Sequence, residues 1–430
     1  MNMLGILIGL VLLMFLAYRG YSIIWVAPVA AAVVAVIGGL PLLGAYKDTY
    51  MIGFADFVKA WFPVFMLGAV FGNLMEFTGF AGSIASGMAK VLGKKRAILA
   101  VILGCAVLTY GGISLFVVVF AMYPVALALF KEANITVKLI PGCIALGSFT
   151  FTMTALPGSP QIQNLIPTTY FNTTATAAPI MGITAALFMF GSGYIYLIRK
   201  EKRLTARGEI YIEPKNKKDA ISENKSLPNP FLSILPPMVV IIVLNILELN
   251  IIIALLSGIT LCMLLRIKSY KGFTKSIGTG ASGSVIAIIN TSAAVGFGAV
   301  VRAVPGFKTL TDFVLGIKGS PLISEAVAVN LLSGATGSAS GGLGIALAAL
   351  GEKYYQLALE TGVSPEAFHR IASLASGGLD TLPHNGAVLT LLAITGLTHK
   401  DSYVDIAITS LVLPVLSSIP AILLAGLGIY

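Results

Sequence analysis

The sequence predicts an all-α polytopic membrane protein made of two inverted repeats, and three observations support this fold class. Of the 430 residues, 57% are hydrophobic and only 11% are charged, whereas soluble domains carry about 25% charged residues. Apolar stretches of the roughly 20 residues that cross a bilayer recur along the whole chain. Glycine and proline landmarks also recur in the same order in the two halves.

The first repeat, residues 1–198, is predicted to hold five spans and one re-entrant helical hairpin. The spans cover 3–17, 22–43, 61–80, 139–170 and 177–198. The fourth span is broken near Pro157, because proline cannot continue a helix. Residues 97–130 are too long for a single span and are interrupted by Tyr-Gly-Gly-Ile-Ser at 110–114. This interruption predicts a hairpin that enters and leaves on one side.

The second repeat, residues 231–430, follows the same plan. Its predicted spans cover 231–248, 250–265, 277–304, 366–396 and 404–428. The fourth span is again broken, here near Pro383. A second hairpin is predicted at 320–351, with its tip at the Ser-Ala-Ser-Gly-Gly sequence 338–342. Each repeat therefore has about five spans, one hairpin and one broken helix.

Charge predicts the orientation of these spans in a cell (inner) membrane. Residues 199–230 form the one long hydrophilic, lysine- and arginine-rich stretch, so we expect a cytoplasmic linker between the repeats. The alternation of spans then predicts that both termini lie outside. The net charge of +10 comes from basic residues in short loops, which is typical of topology signals and lipid headgroup contacts and not of nucleic-acid binding.

The internal repeat is the most informative pattern in the sequence. A Gly-Phe pair, a Gly-Gly pair and a Leu-Pro pair each recur 226–230 residues later, in the same order. Because five spans are an odd number, the second repeat begins on the side where the first one ended and is inverted. Inverted repeats with discontinuous helices are a recurrent design of secondary transporters, whose substrate lies near the bilayer midplane.

The four interruptions are the candidate substrate site. Irregular backbone at membrane depth is tolerated only where it is buried in protein or lines a cavity, and helix starts present N–H groups to anions. The alternatives are close packing of small residues and a structural kink. The predicted substrate-binding residues are Gly111, Gly112, Ser114, Ser159, Gln161, Asn164, Ser338, Ser340, Gly341 and Asn385.

Ionisable residues near the second break are candidates for proton coupling. Asp380 and His384 lie four residues apart beside a proline, and charge inside a membrane usually has a partner or a function. A satisfied structural pair is the alternative. Glu325, in the outer arm of the second hairpin, is a further candidate proton carrier. His369 and Arg370 are expected in an outer loop.

Several function classes find no support. Three isolated cysteines and three scattered histidines predict no metal site, and no phosphate-binding loop or nucleophile motif is present. We therefore expect neither an enzyme nor a bound cofactor. An anion channel stays an alternative to a transporter. An intramembrane hydrolase using Asp380 would need a second catalytic group.

Three segments carry a resemblance to a known family: 110–114, 154–160 and 380–388. Through them the chain resembles the gluconate permease (GntP) family of the ion transporter superfamily. The last segment is most similar to the D-beta-hydroxybutyrate permease branch. The resemblance implies proton-coupled uptake of small hydroxy-carboxylates by a homodimer, in which hairpins and broken helices move as an elevator. We thus predict a proton-coupled symporter for a small hydroxy-monocarboxylate, with 3-hydroxybutyrate favoured over gluconate and sodium coupling as the alternative.

Overall fold

The structure, a computed structural model, describes residues 2–19, 21–214, 227–316, 320–383 and 385–430. Its regular elements are all helical, and the described residues include no β-strand. Five of the helical segments are long and apolar enough to cross a membrane: Leu42–Phe77, Val137–Ala155, Pro179–Ala206, Ile267–Ala303 and His399–Gly426. Shorter apolar helices lie between them. This is an all-α polytopic membrane protein, as the composition predicts.

The first repeat contains ten α-helices. Their bounds are α1 Asn2–Tyr18, α2 Ile23–Ile37, α3 Leu42–Gly44, α4 Met51–Phe77, α5 Phe80–Leu92, α6 Ala97–Tyr110, α7 Leu115–Ala133, α8 Ile140–Ser148, α9 Ile162–Phe171 and α10 Pro179–Ala206. A π-helical turn, Ala45–Tyr50, joins α3 to α4, and a second one, Phe151–Ala155, follows α8. The π turns let one long helix bend without ending.

The second repeat has the same order of elements. Its bounds are α11 Pro230–Ser233, α12 Leu235–Asn245, α13 Ile251–Leu265, α14 Phe273–Ala303, α15 Gly306–Leu315, α16 Pro321–Thr336, α17 Ala339–Thr361, α18 Pro365–Ser376, α19 Gly386–Thr395, α20 His399–Ala407 and α21 Leu413–Gly426. The broken helix consists of α18, a short 3-10 turn Leu379–Thr381, and α19.

Packing between the repeats is reciprocal. Helices α4 and α14 lie along each other, α2 of the first repeat packs on α14 of the second, and α13 of the second packs on α4 of the first. Each repeat thus supplies a helix that packs on the long helix of the other repeat. The hairpins α6–α7 and α16–α17 also pack against the broken helices, with α6 on α8 and α16 on α18, and α17 lies along α14 as well. The interruptions therefore meet inside the protein.

Several helix boundaries differ from the sequence prediction, and two helices were not predicted. Helix α4 begins at Met51, ten residues before the predicted span at 61–80, and α5 and α15 were not predicted. Both of these helices are short and amphipathic, so mean hydropathy does not reveal them. Helix α10 continues to Ala206 because residues 199–203 are strong helix formers. The Lys138 ammonium, just before α8, forms an ion pair of 2.8 Å with Glu209, just after α10. Residues 215–226 lie outside the described residues.

Candidate substrate site

The tip of the first hairpin is bonded to the first break. The Tyr110 hydroxyl donates to the Pro157 carbonyl oxygen at 2.9 Å. The Gln161 side-chain amide donates to the Thr109 carbonyl oxygen at 2.7 Å and to that of Ile113 at 3.4 Å. These bonds give partners to backbone carbonyls of the tip and of the break, and the Thr109 carbonyl also accepts from the Gly112 N–H at 3.0 Å. The tip is therefore closed over the break.

The backbone of the first break is held by side chains and by a distant loop. Gly158 has φ +76°, a left-handed conformation in which glycine has no steric penalty. Its N–H donates to the Ala175 carbonyl at 2.8 Å, and its own carbonyl accepts from Asn245 Nδ2 at 2.9 Å. The Ser159 hydroxyl is buried and donates to the Thr152 carbonyl. Ser159 thus braces the break internally.

Asn164 organises the centre of this region. Its Nδ2 donates to the carbonyls of Ser159 and Ala175 at 2.9 and 2.8 Å. Its Oδ1 accepts from Arg370 at 2.8 Å and faces His369 Nε2 at 3.4 Å. All the hydrogen-bonding capacity of this buried amide is used by protein. The predicted contact of Asn164 with a substrate hydroxyl has no free group to make it in this closed state.

His369 and Arg370 lie in α18 and are fully buried, so their predicted position in an outer loop is wrong. Arg370 donates from Nε and NH2 to the Ala177 carbonyl, at 3.1 and 2.6 Å. His369 Nδ1 lies 2.6 Å from the Thr173 hydroxyl. Since Asn164 Oδ1 only accepts, Nε2 of His369 carries the proton and Nδ1 accepts.

Arg370 is a buried cation surrounded by neutral acceptors. Among the described residues it forms no ion pair with a carboxylate. Glu366, one turn earlier on α18, attracts Arg370 without an ion-pair contact and accepts from the Ala178 N–H instead. The guanidinium therefore has no direct counter-ion, and an anion that reached it would gain that contact. Two of its five N–H donors have no acceptor within the described part of the chain. One sequence signal could have identified this residue: an arginine within the predicted span 366–396.

The tip of the second hairpin caps itself. The Ser338 hydroxyl accepts from the Gly341 N–H at 3.1 Å and so closes the start of α17. The Ser340 hydroxyl lies 3.4 Å from that of Thr291 on α14 and 3.5 Å from that of Ser338. The tip is thus joined to the long helix α14. The predicted residues Ser338, Ser340 and Gly341 do lie together.

The second break is tied to this tip by Asn385. Its Nδ2 donates to the carbonyls of Gly337 and Asp380, both at 2.9 Å. Its Oδ1 accepts from the first N–H groups of α19 and caps that helix. Like Asn164, this amide is saturated by protein groups. His384 lies outside the described residues.

Asp380 is the unsatisfied acid of the second break. Its side chain is 4% exposed, and its Oδ1 has no hydrogen-bond partner among the described residues. An ionised carboxylate in such surroundings is expensive. The adjoining backbone is well held, because the Thr381 carbonyl accepts from Tyr403 and that of Pro383 lies 2.9 Å from His399 Nε2. The acid is therefore fixed in place without being neutralised.

The two sites correspond residue by residue. Gln161 and Asn385 both occupy the position before the broken helix resumes, and each donates an amide N–H to its own hairpin tip. Ser114 and Ser338 both precede the second hairpin arm. The capping differs, however. The starts of α17 and α19 are capped by side chains, whereas those of α7 and α9 have no side-chain cap.

A separate apolar groove of about 470 Å³ opens between α16 and α21. Asn330 and Ser418 are the polar residues in its lining, and exposed Leu331 and Ile419 stand at its mouth. A hydroxy-acid site needs several convergent polar groups, which this groove does not supply. Its composition suits lipid acyl chains.

Inverted hairpins and broken helices that meet inside a membrane protein define the class: a membrane transporter. Residues 1–289 match the family described as GntP family permease. The protein named "Uncharacterized transporter YxjC", from Bacillus subtilis (strain 168), is 42% identical over 454 aligned residues, which cover 96% of each chain. The chain belongs to the GntP permease family, and the family resemblance inferred from its motifs is confirmed.

Two more distant relatives agree with this assignment. An "Uncharacterized transporter" from Haemophilus influenzae (strain ATCC 51907 / DSM 11121 / KW20 / Rd) is 28% identical and aligns with 78% of this chain and 77% of its own. The crystal structure of the Alcanivorax borkumensis YdaH transporter, described as having an unusual topology, superposes with a TM-score of 0.60 at 13% identity. The superposition covers 87% of this chain and 88% of that one. This last likeness concerns the fold alone.

Proposed function

We propose that this transporter is a proton-coupled symporter for a small hydroxy-monocarboxylate, with 3-hydroxybutyrate favoured over gluconate. The observation that supports an anionic substrate is buried Arg370, a cation that forms no ion pair with a carboxylate among the described residues. Arg370 is on α18 of the second repeat but bonds Asn164 on α9 of the first, where the starts of α7 and α9 have no side-chain cap. Helix starts carry partial positive charge, so both features favour a carboxylate.

The substrate contacts we propose use groups that the protein leaves free. Ser114 makes no cap bond, and Gln161 Oε1 accepts no hydrogen bond within the described part of the chain. The backbone of Gly111 and Gly112 lies beside them. Across the site, Ser338, Ser340 and Gly341 would close over the carboxylate when the second tip rearranges. Ser159, Asn164 and Asn385 are saturated, and we assign them a positioning role.

The number of free polar groups favours a substrate with few hydroxyls. The donors and acceptors of Asn164 and Asn385 are all engaged by other protein groups. Gluconate carries five hydroxyls and would leave several without a partner, which is costly in a closed site. 3-Hydroxybutyrate carries one hydroxyl and one methyl group. The similarity of 380–388 to hydroxybutyrate permeases points the same way.

Asp380 is the proposed proton carrier, and His384 is its proposed partner. The orphaned and buried Asp380 oxygen supports this role, since an isolated buried carboxyl is easier to hold as the neutral acid. One proton moving with one monoanion makes the overall cargo neutral. Protonation and substrate binding would therefore occur together in the state that crosses the membrane.

The mechanism we propose is an elevator within a homodimer in the cell (inner) membrane. The hairpins pack on the broken helices, and α2, α4, α13 and α14 pack on one another; hairpin arm α17 lies along α14, where the two groups would slide past each other. This division supports a mobile transport unit held by a scaffold, which would also carry the dimer contact. The linker at 199–230 would lie in the cytoplasm and both termini outside.

Reconstitution into proteoliposomes tests this function. With the membrane potential clamped at zero, each unit of pH gradient should drive about tenfold accumulation of 3-hydroxybutyrate, if one proton moves per substrate. Gluconate should accumulate less. Uphill accumulation driven by a sodium gradient alone would show that sodium, and not the proton, is the coupling ion. Dissipation of a substrate gradient with no accumulation under either gradient would indicate a channel and overturn the proposal.

A further inference from the structure

Glu325 is a buried acid that the proposed function leaves unused. It is the fifth residue of α16, in the outer arm of the second hairpin, and its exposed fraction is 0%. Neither carboxyl oxygen has a hydrogen-bond partner among the described residues. Burying a polar group without a partner costs about 1–3 kcal/mol even when it is neutral, and an ionised one costs far more. A purely structural position would be filled more stably by leucine or methionine.

Within the part of the chain that the structure describes, no cation contacts Glu325. From the opposite arm, buried Tyr354 lies close to it, and the Tyr354 hydroxyl is 3.2 Å from that of Ser324. From α18, His369 and Arg370 are engaged with Asn164 and with the loop before α10. The carboxyl therefore shares its site with one neutral phenol.

The remaining elements packed on α16 supply no counter-ion either. Helix α21 carries no ionisable residue, and α1 contains none before its last residue, Tyr18. On α15, Lys308 and Asp312 are exposed. The turn Leu379–Thr381 contributes Asp380, a second acid without a partner on Oδ1. Glu325 on α16 and Asp380 in the turn packed against α16 thus both belong to the second repeat.

The position of Glu325 within the hairpin matters. Four residues separate it from the start of α16 at Pro321, a rise of roughly 6 Å. The carboxyl lies one turn from the end of the hairpin and is nevertheless fully enclosed. A small separation of the two arms at the Ser324–Tyr354 contact would open it to water on that side.

We propose that Glu325 is a second proton-carrying site, loaded from the side at which the second hairpin opens and occluded in the present state. This inference rests on the proposed proton coupling. The carboxylate accepts the one coupling proton from water when the arms separate and holds it as the neutral acid. The same proton then passes to Asp380 and leaves with the substrate, so one proton still moves per substrate. Asp380 would serve the substrate end of the hairpin and Glu325 its outer end.

Proteoliposomes containing Glu325→Gln test the proposal, because glutamine preserves shape and cannot release a proton. We expect accumulation under a pH gradient to fall to a ratio near one, while exchange of labelled for unlabelled substrate continues, since exchange needs no net proton movement. Exposed Glu352 on α17 provides the matched control: Glu352→Gln should accumulate substrate like the wild type.

A second variant covers the case in which glutamine impairs folding. Glu325→Asp keeps a titratable group and should regain part of the pH-driven accumulation, with a displaced pH profile. The proposal is overturned if Glu325→Gln accumulates substrate like the wild type, or if Glu325→Asp and Glu325→Gln lose exchange equally. If the wild type itself shows no pH-driven accumulation, the proton-coupled function fails, and with it the role of Glu325.

Discussion

The first and second breaks share a backbone plan and differ in chemistry. In each, an amide side chain before the resumed helix donates to its hairpin tip, as Gln161 and Asn385 do. Around the first break lie uncapped helix starts and the buried cation Arg370. Around the second lie capped helix starts and the orphaned acid Asp380. The two repeats share the geometry, and under the proposed function their side chains divide it into an anion side and a proton side.

The difference follows from what each charge needs. A bound carboxylate gains from a fixed positive charge and from free N–H groups, so capping side chains at the first break would compete with it. A proton carrier needs the opposite surroundings, namely an acid with no cation nearby, so that its neutral form is accessible. Arg370 and Asp380 both belong to the second repeat, but Arg370 is turned toward the first break, where it bonds Asn164 and Ala177, and it forms no ion pair with Asp380.

The largest effect should come from removing the cation. We expect Arg370→Gln to weaken substrate binding by at least about 100-fold, because it loses the charge and three hydrogen bonds to neutral acceptors. Calorimetric titration of the purified protein measures this loss. Arg302 is exposed and donates to the Ala348 carbonyl, so Arg302→Gln is the control and should bind normally. Equal affinities in both variants would remove the anion role of the first break.

Backbone strain at the first break should have the next largest effect. Gly158→Ala forces a side chain into φ +76° and brings its Cβ within 2.9 Å of Asn245 Nδ2. We expect a loss of about 1–3 kcal/mol in stability, measured as a lower unfolding temperature in detergent. Gly386, at the start of α19, has open space around a Cβ. Gly386→Ala should leave the unfolding temperature nearly unchanged, and a similar drop in both variants would contradict the geometry.

The smallest effect concerns the caps and sharpens the comparison directly. Ser338→Ala removes a helix cap and should cost about 1 kcal/mol in stability. Ser114→Ala removes no cap and should leave stability unchanged while it weakens substrate binding several-fold. Thermal unfolding and a binding titration on both variants separate the two effects. Reversed results would mean that the first tip, and not the second, is closed by its own serine.

Much of the fold was predictable, because proline and glycine leave local marks. The breaks near Pro157 and Pro383 and the two hairpin tips follow from residues that cannot continue a helix. The inverted arrangement follows from the odd number of spans. Helices α5 and α15 were missed because amphipathic elements hide in a hydropathy profile.

The site was harder to predict, because its contacts join distant residues. Arg370 bonds Ala177 and Asn164, which lie 193 and 206 residues away along the chain. No local pattern reveals such acceptors, so the arginine was expected in a loop. Asn164 and Asn385 were predicted as substrate contacts because amides are polar. In the structure Asn385 bonds only backbone groups, and Asn164 bonds backbone carbonyls through Nδ2 and the Arg370 and His369 side chains through Oδ1.

The division of labour between the two breaks is tested most directly by comparing Asp380→Asn with Arg370→Gln in proteoliposomes. Both variants are assayed for substrate accumulation under a pH gradient and for substrate exchange without one. We expect Asp380→Asn to exchange substrate at a rate near that of the wild type and to accumulate none, and Arg370→Gln to fail in both assays. Normal pH-driven accumulation by Asp380→Asn, or normal exchange by Arg370→Gln, would contradict the separation of anion and proton sites.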